Sequence, residues 1–360
     1  MRYVSAAVVT LFAGVAWATE LPVNTNEMRS LTAEQGAVLA HRQDNIHLQG
    51  LATLPTDVAE ALSQHEHYYL YLDGLTALSP ETAAALAKHC GGLSLNGLTS
   101  ITQDVAEALA QRDGSASDDG LNLDGLTDLP PKVAQALARH RGWLSLRGLK
   151  TLTLDAAQAL AKHRSWLSLC GLTNITPEVA EALAKHRGDG KFMDKRNAVC
   201  SDPQGIDSSL SLEGLTEISP EIVEAFGSHR GVLFLGNVSV LSDAAAKALA
   251  NHEGALWLNG LTSLSDTQAK WLARHNGLLH LGHVNTLSDT QARAFALHEG
   301  ILWLDGLTTL TDTQAESLAH HKGELHLPFD LRYSREAARA LYRNTAIEPR
   351  LLFFGIARRH

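Results

Sequence analysis

The sequence is short of several things at once. Basic residues are outnumbered, 30 Lys and Arg against 39 Asp and Glu, for a formal charge of −9. Affinity for nucleic acid begins with a positive footprint, so this balance argues against a DNA or RNA partner. Aromatic residues make up only 6% of the chain, which makes any clustering of them a signal. Cysteine is limited to Cys90, Cys170 and Cys200. A fold that depended on disulfides would carry more, in an even number; a Cys170–Cys200 bridge is the pairing to expect. Catalytic signatures are missing as well: there is no H-E-x-x-H, G-x-S-x-G, phosphate loop or dinucleotide fingerprint. Neither enzyme activity nor a cofactor is expected.

Long apolar runs are absent except at the start. Met1-Arg2 precedes the apolar stretch 3–15, followed by Ala16-Trp17-Ala18. Spanning a bilayer takes about 20 apolar residues, so this run reads as a signal peptide of residues 1–18 with an A-x-A cleavage site. A secreted or periplasmic protein beginning at Thr19 is expected, with no membrane insertion after cleavage. At 360 residues, 45% apolar and 19% charged, the remainder is globular in composition but long for one core.

What fills that length is a repeat. The unit is L-x-L-x-G-L-T-x-L-[ST]-x-x-x-A-x-x-L-A-x-H-x-G, as in Leu144 to His163 and again in Leu167 to His186. Its glycine position falls at Gly50, Gly74, Gly97, Gly125, Gly148, Gly171, Gly214, Asn237, Gly260, His283 and Gly306, mostly 23 residues apart. Extra residues, five before Gly125 and twenty before Gly214, fall between the His position and the next strand. L-x-L alternates with period two, predicting a short strand with both Leu inward. Ser265-Asp-Thr-Gln268, Ser288-Asp-Thr-Gln291 and Thr311-Asp-Thr-Gln314 predict capping boxes, while Ser79-Pro80, Thr176-Pro177 and Ser219-Pro220 place Pro at the first helical position. Ala157, Leu160 and Ala161 make one apolar stripe, and Gly142 and Gly254 read as helix stops.

On these residues, 31–327 resemble the leucine-rich-repeat family in a variant of about 23 residues per unit. The resemblance implies an α/β curved solenoid, with short parallel strands on the concave face and short helices on the convex face. It departs at the family's Asn position, which here is Leu (Leu98, Leu126), so another group must satisfy the turn. The expected organisation is an N-terminal cap over 19–43, the solenoid over 44–327 with an insertion at 189–208, and a C-terminal cap over 328–360.

One repeat position is a column of histidines: His41, His65, His89, His140, His163, His186, His229, His252, His275, His298 and His321, with Arg112 replacing one member. A metal site needs three or four converging ligands, whereas one per coil makes a line. The structural reading is favoured, with the rings packed as a column or donating to helix-end carbonyls. Any positive charge would suit the helix dipole. Asp113, Asp118 and Asp119 in the shorter insertion lack calcium-loop spacing and read as a solvated loop.

The residue between the two strand leucines marks the centre of the concave face. It reads His47, Tyr71, Ser94, Asn122, Ser145, Ser168, Ser211, and then Phe234, Trp257, His280, Trp303 and His326. The last five are ring-bearing on consecutive strands, and they are the candidate ligand-binding residues; Trp143 and Trp166 form a second pair. Rings offer large contact area with few torsions to freeze, which suits a protein partner and, less well, a glycan. The competing reading is that the rings stack across strands and only stabilise the sheet. Asp73, Asp124, Glu213 and Asp305 make the next column mildly acidic. The expected function is non-enzymatic recognition; the alternative is a self-associating envelope component.

Overall fold

A computed structural model describes residues 24–66, 68–112, 120–187, 209–328 and 331–342. The expected signal peptide, Asp113, Asp118 and Asp119, the 189–208 insertion with Cys200, and the apolar end of the C-terminal cap lie outside the described residues.

Each coil follows from its own sequence. In one, β5 (Leu144–Ser145) leads through a turn to α6 (Leu154–Leu160). Leu144, Leu146 and Leu149 are fully buried, so alternation aims the strand leucines at the core and the turn leucine closes over them. The Thr153 hydroxyl accepts from the Ala156 N–H at 3.3 Å and starts the helix. A helix of seven residues is too short to persist alone, and burial of Ala156, Ala157, Ala159 and Leu160 holds it in place. Ala161, expected in that stripe, is only half-buried.

The three expected capping boxes form at Ser265/Gln268, Ser288/Gln291 and Thr311/Gln314. All three glutamines also reach the preceding coil: Gln268 Nε2 donates to Leu241 O, Gln291 Nε2 to Leu264 O at 2.7 Å and Gln314 Nε2 to Leu287 O at 2.8 Å. One side chain thus caps its own helix and ties two coils together.

The helix stops differ from expectation. Helix α5 (Pro131–Leu137) ends well before Gly142, and α9 (Asp243–Leu249) ends before Gly254, each with a right-handed cap residue. Gly254 has a different task. Its φ is +130°, and a Cβ there would lie 2.2 Å from Gly231 O, so the position demands glycine for close approach between coils.

Twelve strands, from β1 (Ile46–His47) to β12 (Leu325–His326), pair in parallel and in chain order among the described residues. Leucine faces leucine across the insertions too: Leu93 pairs with Leu121, and Leu167 with Leu210. The extra residues are therefore accommodated without a slip of register. One continuous core runs from Met28 to Leu341. Helix α1 (Ala33–Ala40) packs on α2 (Thr56–Leu62) at one end, and α13 (Arg335–Leu341) on α12 (Asp312–Leu318) at the other. The architecture is an α/β solenoid of leucine-rich coils with the strands on its concave face.

Candidate functional site

Because strand side chains alternate, each coil shows the sheet face two residues that flank an inward leucine. On β8 (Val232–Phe234) these are Val232 and Phe234. On β9 (Leu256–Trp257), β10 (Leu279–His280) and β11 (Leu302–Trp303) they are Ala255 and Trp257, Leu278 and His280, and Ile301 and Trp303. The parallel register sets Phe234 beside Trp257, Trp257 beside His280, His280 beside Trp303, and Trp303 beside His326. Centroid separations are 5.2, 4.2, 5.1 and 4.0 Å, stacked at all but the first. Val232, Ala255 and Leu278 form a buried strip alongside and pack against Phe234, Trp257 and Trp303.

All five candidate residues therefore come together in one column. The rings also stack on each other, so the column stabilises the sheet as well as lining it. Phe234, Trp257, Trp303 and His326 remain half-buried, and His280 is buried. The Nε1–H groups of Trp257 and Trp303 are shielded and have no acceptor among the described residues.

Sequence reasoning missed how far the rings extend. His47 stacks on Tyr71 at 4.4 Å, Tyr71 on Tyr69 at 5.4 Å, and Tyr69 meets Trp143 at 6.5 Å. Trp143 meets Trp166 at 6.4 Å and Trp166 stacks on Phe234 at 5.9 Å, so the ladder is unbroken from His47 to His326. Two glycines make the middle of it. A Cβ at Gly92 would fall 2.3 Å from the Tyr69 ring, and one at Gly120 would fall 2.0 Å from the Trp143 indole. The bare backbone of those two coils is the floor on which the rings from either side lie down. The signal was present as Gly in a column otherwise bearing side chains, but one column read alone hides it.

The acidic column does more than solvate the surface. Asp73 Oδ1 accepts from the Asn96 N–H at 2.9 Å and from Ser94 Oγ at 2.5 Å. Asn96 Oδ1 accepts from the Asp124 N–H at 2.9 Å, and Asp124 Oδ1 from the Arg147 N–H at 2.9 Å and Ser145 Oγ at 2.5 Å. Each side chain thus pairs a backbone donor of the next coil, a role that the missing Asn ladder left open. Further along, the Cys170 thiol lies 3.0 Å from Ser211 Oγ and 3.6 Å from Glu213 Oε2; its expected bridge partner, Cys200, is outside the described residues. His280 Nδ1 donates to Asn259 Oδ1, and its Nε2 lies 3.7 Å from Asp305 Oδ2. Burial pushes the His280 pKa down to about 4 and raises that of Asp305. His326 Nε2 meets Glu324 Oε1 at 2.9 Å.

The histidine column lies on the opposite side of the sheet from these rings, in the core. Members from His65 to His321 are buried, while His41 is exposed. Neighbouring rings stack at 5.6 Å for His229–His252 and 6.0 Å for His163–His186. His89 lies 2.8 Å from His65 O through Nδ1 and 3.1 Å from Tyr68 O through Nε2, and His321 lies 3.1 Å from both Phe295 O and Gly300 O; a neutral ring donates to one carbonyl of each pair. Burial pulls the pKa to about 4 at His89 and His229 and to about 3 at His186 and His275. With pKa values held this low, His89, His186, His229 and His275 carry no positive charge to the helix ends near neutral pH. Arg112, fully buried in the column's gap, donates from Nη1 to Leu86 O at 3.4 Å and from Nη2 to Gly91 O. No group of three or more His, Cys, Asp and Glu side chains is placed to hold a metal ion among the described residues.

No protein-family model matches the sequence, and no curated protein matches it. Solved structures do resemble the fold. An internalin from Listeria monocytogenes is similar over 88% of this chain and 93% of its own, at 14% identity and a TM-score of 0.43. The Toll–Spätzle complex of Drosophila is similar at 10% identity, with TM-scores of 0.47 and 0.49 in two forms. The match covers 84% of this chain, which spans less than half, 41% and 42%, of that one.

Proposed function

We propose that this chain is an exported, non-enzymatic recognition protein that binds a protein partner across the sheet face. Phe234, Trp257, His280, Trp303 and His326 form the centre of contact. Residues 1–18 are removed on export, and the segments 19–43 and 328–360 cap the solenoid of 44–327. The observation that carries this reading is the ring column itself. In a chain with 6% aromatic residues, rings occupy the same outward position on five consecutive strands, and four of them, all but His280, are half-exposed. Burying such rings at an interface releases large apolar area with little loss of side-chain freedom. A protein fits the length of this strip better than a glycan does, because the ladder continues across all the strands.

The test is capture from the source organism's envelope fraction by the wild-type chain, by Trp257→Ala/Trp303→Ala, and by the helix-side control Glu181→Ala. Truncating two anchor rings removes upwards of ~2 kcal/mol each, so affinity should fall by a factor of a thousand or so. A partner retained by the double variant, with cooperative unfolding intact, would remove the site. Sedimentation of the pure chain at rising concentration separates self-association, which would show as growth beyond the monomer.

A further inference from the structure

The helix face carries a charge pattern that the sheet face does not explain. The outward position in the middle of each helix reads Glu60, Ala84, Glu107, Gln135, Gln158, Glu181, Glu224, Lys247, Lys270, Arg293 and Glu316. From α2 to α12 it is acidic or neutral except on three consecutive coils; α13, at the C-terminal end of the solenoid, carries Arg339 there. These three cations lie together on α9, α10 (Asp266–Leu272) and α11 (Asp289–Phe295), bounded by Glu224 and Glu316. In a chain of net charge −9, this is the opposite sign, gathered in one place.

Between α10 and α11 lies a groove of about 780 Å³, lined by Lys270, Arg274 and Arg293 with Ala273, Ala294 and Leu297. All three cationic side chains are exposed. None forms an ion pair with a carboxylate among the described residues, although Glu299 at the rim is paired with Lys322 at 3.0 Å. Both guanidiniums are held in place from behind. Arg274 lies over the Trp271 ring, 4.6 Å from its centroid, and stacking fixes it without using an N–H donor. Arg293 spends only Nε, on Asp289 O at 3.0 Å, which leaves its terminal nitrogens free to donate. Pre-set guanidinium forks and a nearby ammonium match an oxyanion carrying more than one charge. The alanines of the floor and Leu297, 74% exposed at the edge, suit an apolar body attached to that anion.

We propose that the groove between α10 and α11 is a binding site for a phosphate group borne on a larger ligand, held by Lys270, Arg274 and Arg293. Phosphate supplies the charge that two forks and an ammonium call for, and the groove exceeds what a bare ion fills. The group could arrive on a soluble ester or on a lipid, and the test separates these sources.

Inorganic phosphate is titrated into the full chain by calorimetry at physiological salt, and vesicles of phosphatidylglycerol are compared with phosphatidylcholine by co-sedimentation. Wild type is set beside Lys270→Glu/Arg293→Glu and beside Arg139→Glu/Lys185→Glu, which changes net charge equally on other coils. Thermal unfolding checks that each variant folds. Binding of phosphate, or of phosphatidylglycerol alone, that falls at least tenfold in the first variant and less than twofold in the second supports the site. Phosphate binding points to a soluble ester and vesicle binding alone to a headgroup. Failure of wild type to bind either probe, or equal loss in both variants, overturns the proposal. Neither outcome touches the sheet-face reading, which rests on other residues.

Discussion

Acidification from about pH 7 to pH 5 should unfold the solenoid through its histidine column. His89, His186, His229, His252 and His275 are buried with their pKa held below the ordinary value, and the unfolded chain exposes them at about 6.5. Their folded pKa values are depressed, so they contribute full stability above pH 6.5 and lose it as pH falls toward the folded values of about 4 and about 3. At pH 5 each of His89, His186, His229 and His275 then costs about 2 kcal/mol, or about 8 kcal/mol for the four, before His252 is counted. Domain stabilities run to about 5–15 kcal/mol, so this is enough to decide the outcome. Relief by protonating some members in place is opposed by their spacing. Two charges about 6 Å apart repel by about 3 kcal/mol at an effective dielectric of 20, and His163 and His186 stack at 6.0 Å. Glu81, Glu178 and Glu221, held low by hydrogen bonds, titrate at lower pH. The assay is the urea midpoint by far-ultraviolet circular dichroism at half-unit steps of pH. Near pH 5.5 each buried imidazole should steepen the loss by about 1 kcal/mol per pH unit, and His186→Gln should remove one such share. A midpoint that stays level from pH 7 to pH 5, or a variant with unchanged slope, would refute the reasoning.

Three further outcomes are expected. Arg112→Ala leaves Leu86 O and Gly91 O without their buried donor and should cost about 2–4 kcal/mol in denaturant unfolding, whereas Arg112→His should recover part of that. Gly148→Ala would set a Cβ 2.2 Å from Asp124 O and 2.4 Å from Leu126 O, so a thermal scan should show it less stable than Lys150→Ala two residues away. Asp124→Ala unpairs the Arg147 N–H and Ser145 hydroxyl and should lose about 1–3 kcal/mol, while Asp124→Asn keeps an acceptor and should lose less; equal losses would mean that the inter-coil bond is not what matters.

The coil was legible because each of its positions has a single physical task that recurs. Strand leucines, capping hydroxyls and first-turn prolines act within one unit, so one unit suffices to read them. What acts between units was harder to see. The direction of the histidines depends on the neighbouring coil's carbonyls, and nothing inside one repeat says whether His163 faces the core or solvent. Gly254 looks like a helix stop beside its own helix and proves to be a clearance for Gly231 O. Tyr69 and Trp143 meet only because Gly92 and Gly120 lie between them, in a column read separately. The Lys247, Lys270 and Arg293 stripe becomes visible only when helices of successive coils are aligned, because each coil contributes a single cation to it.

Photo-crosslinking is the most direct test of the sheet face as a recognition surface. A benzophenone side chain replaces Asp305, beside Trp303 and His280, or Glu181 on the helix face, and each chain is illuminated in the envelope fraction. The expected result is a discrete protein adduct from position 305 that is absent from position 181 and lost with Trp257→Ala. Adducts of equal strength from both positions, or from position 181 alone, would contradict it.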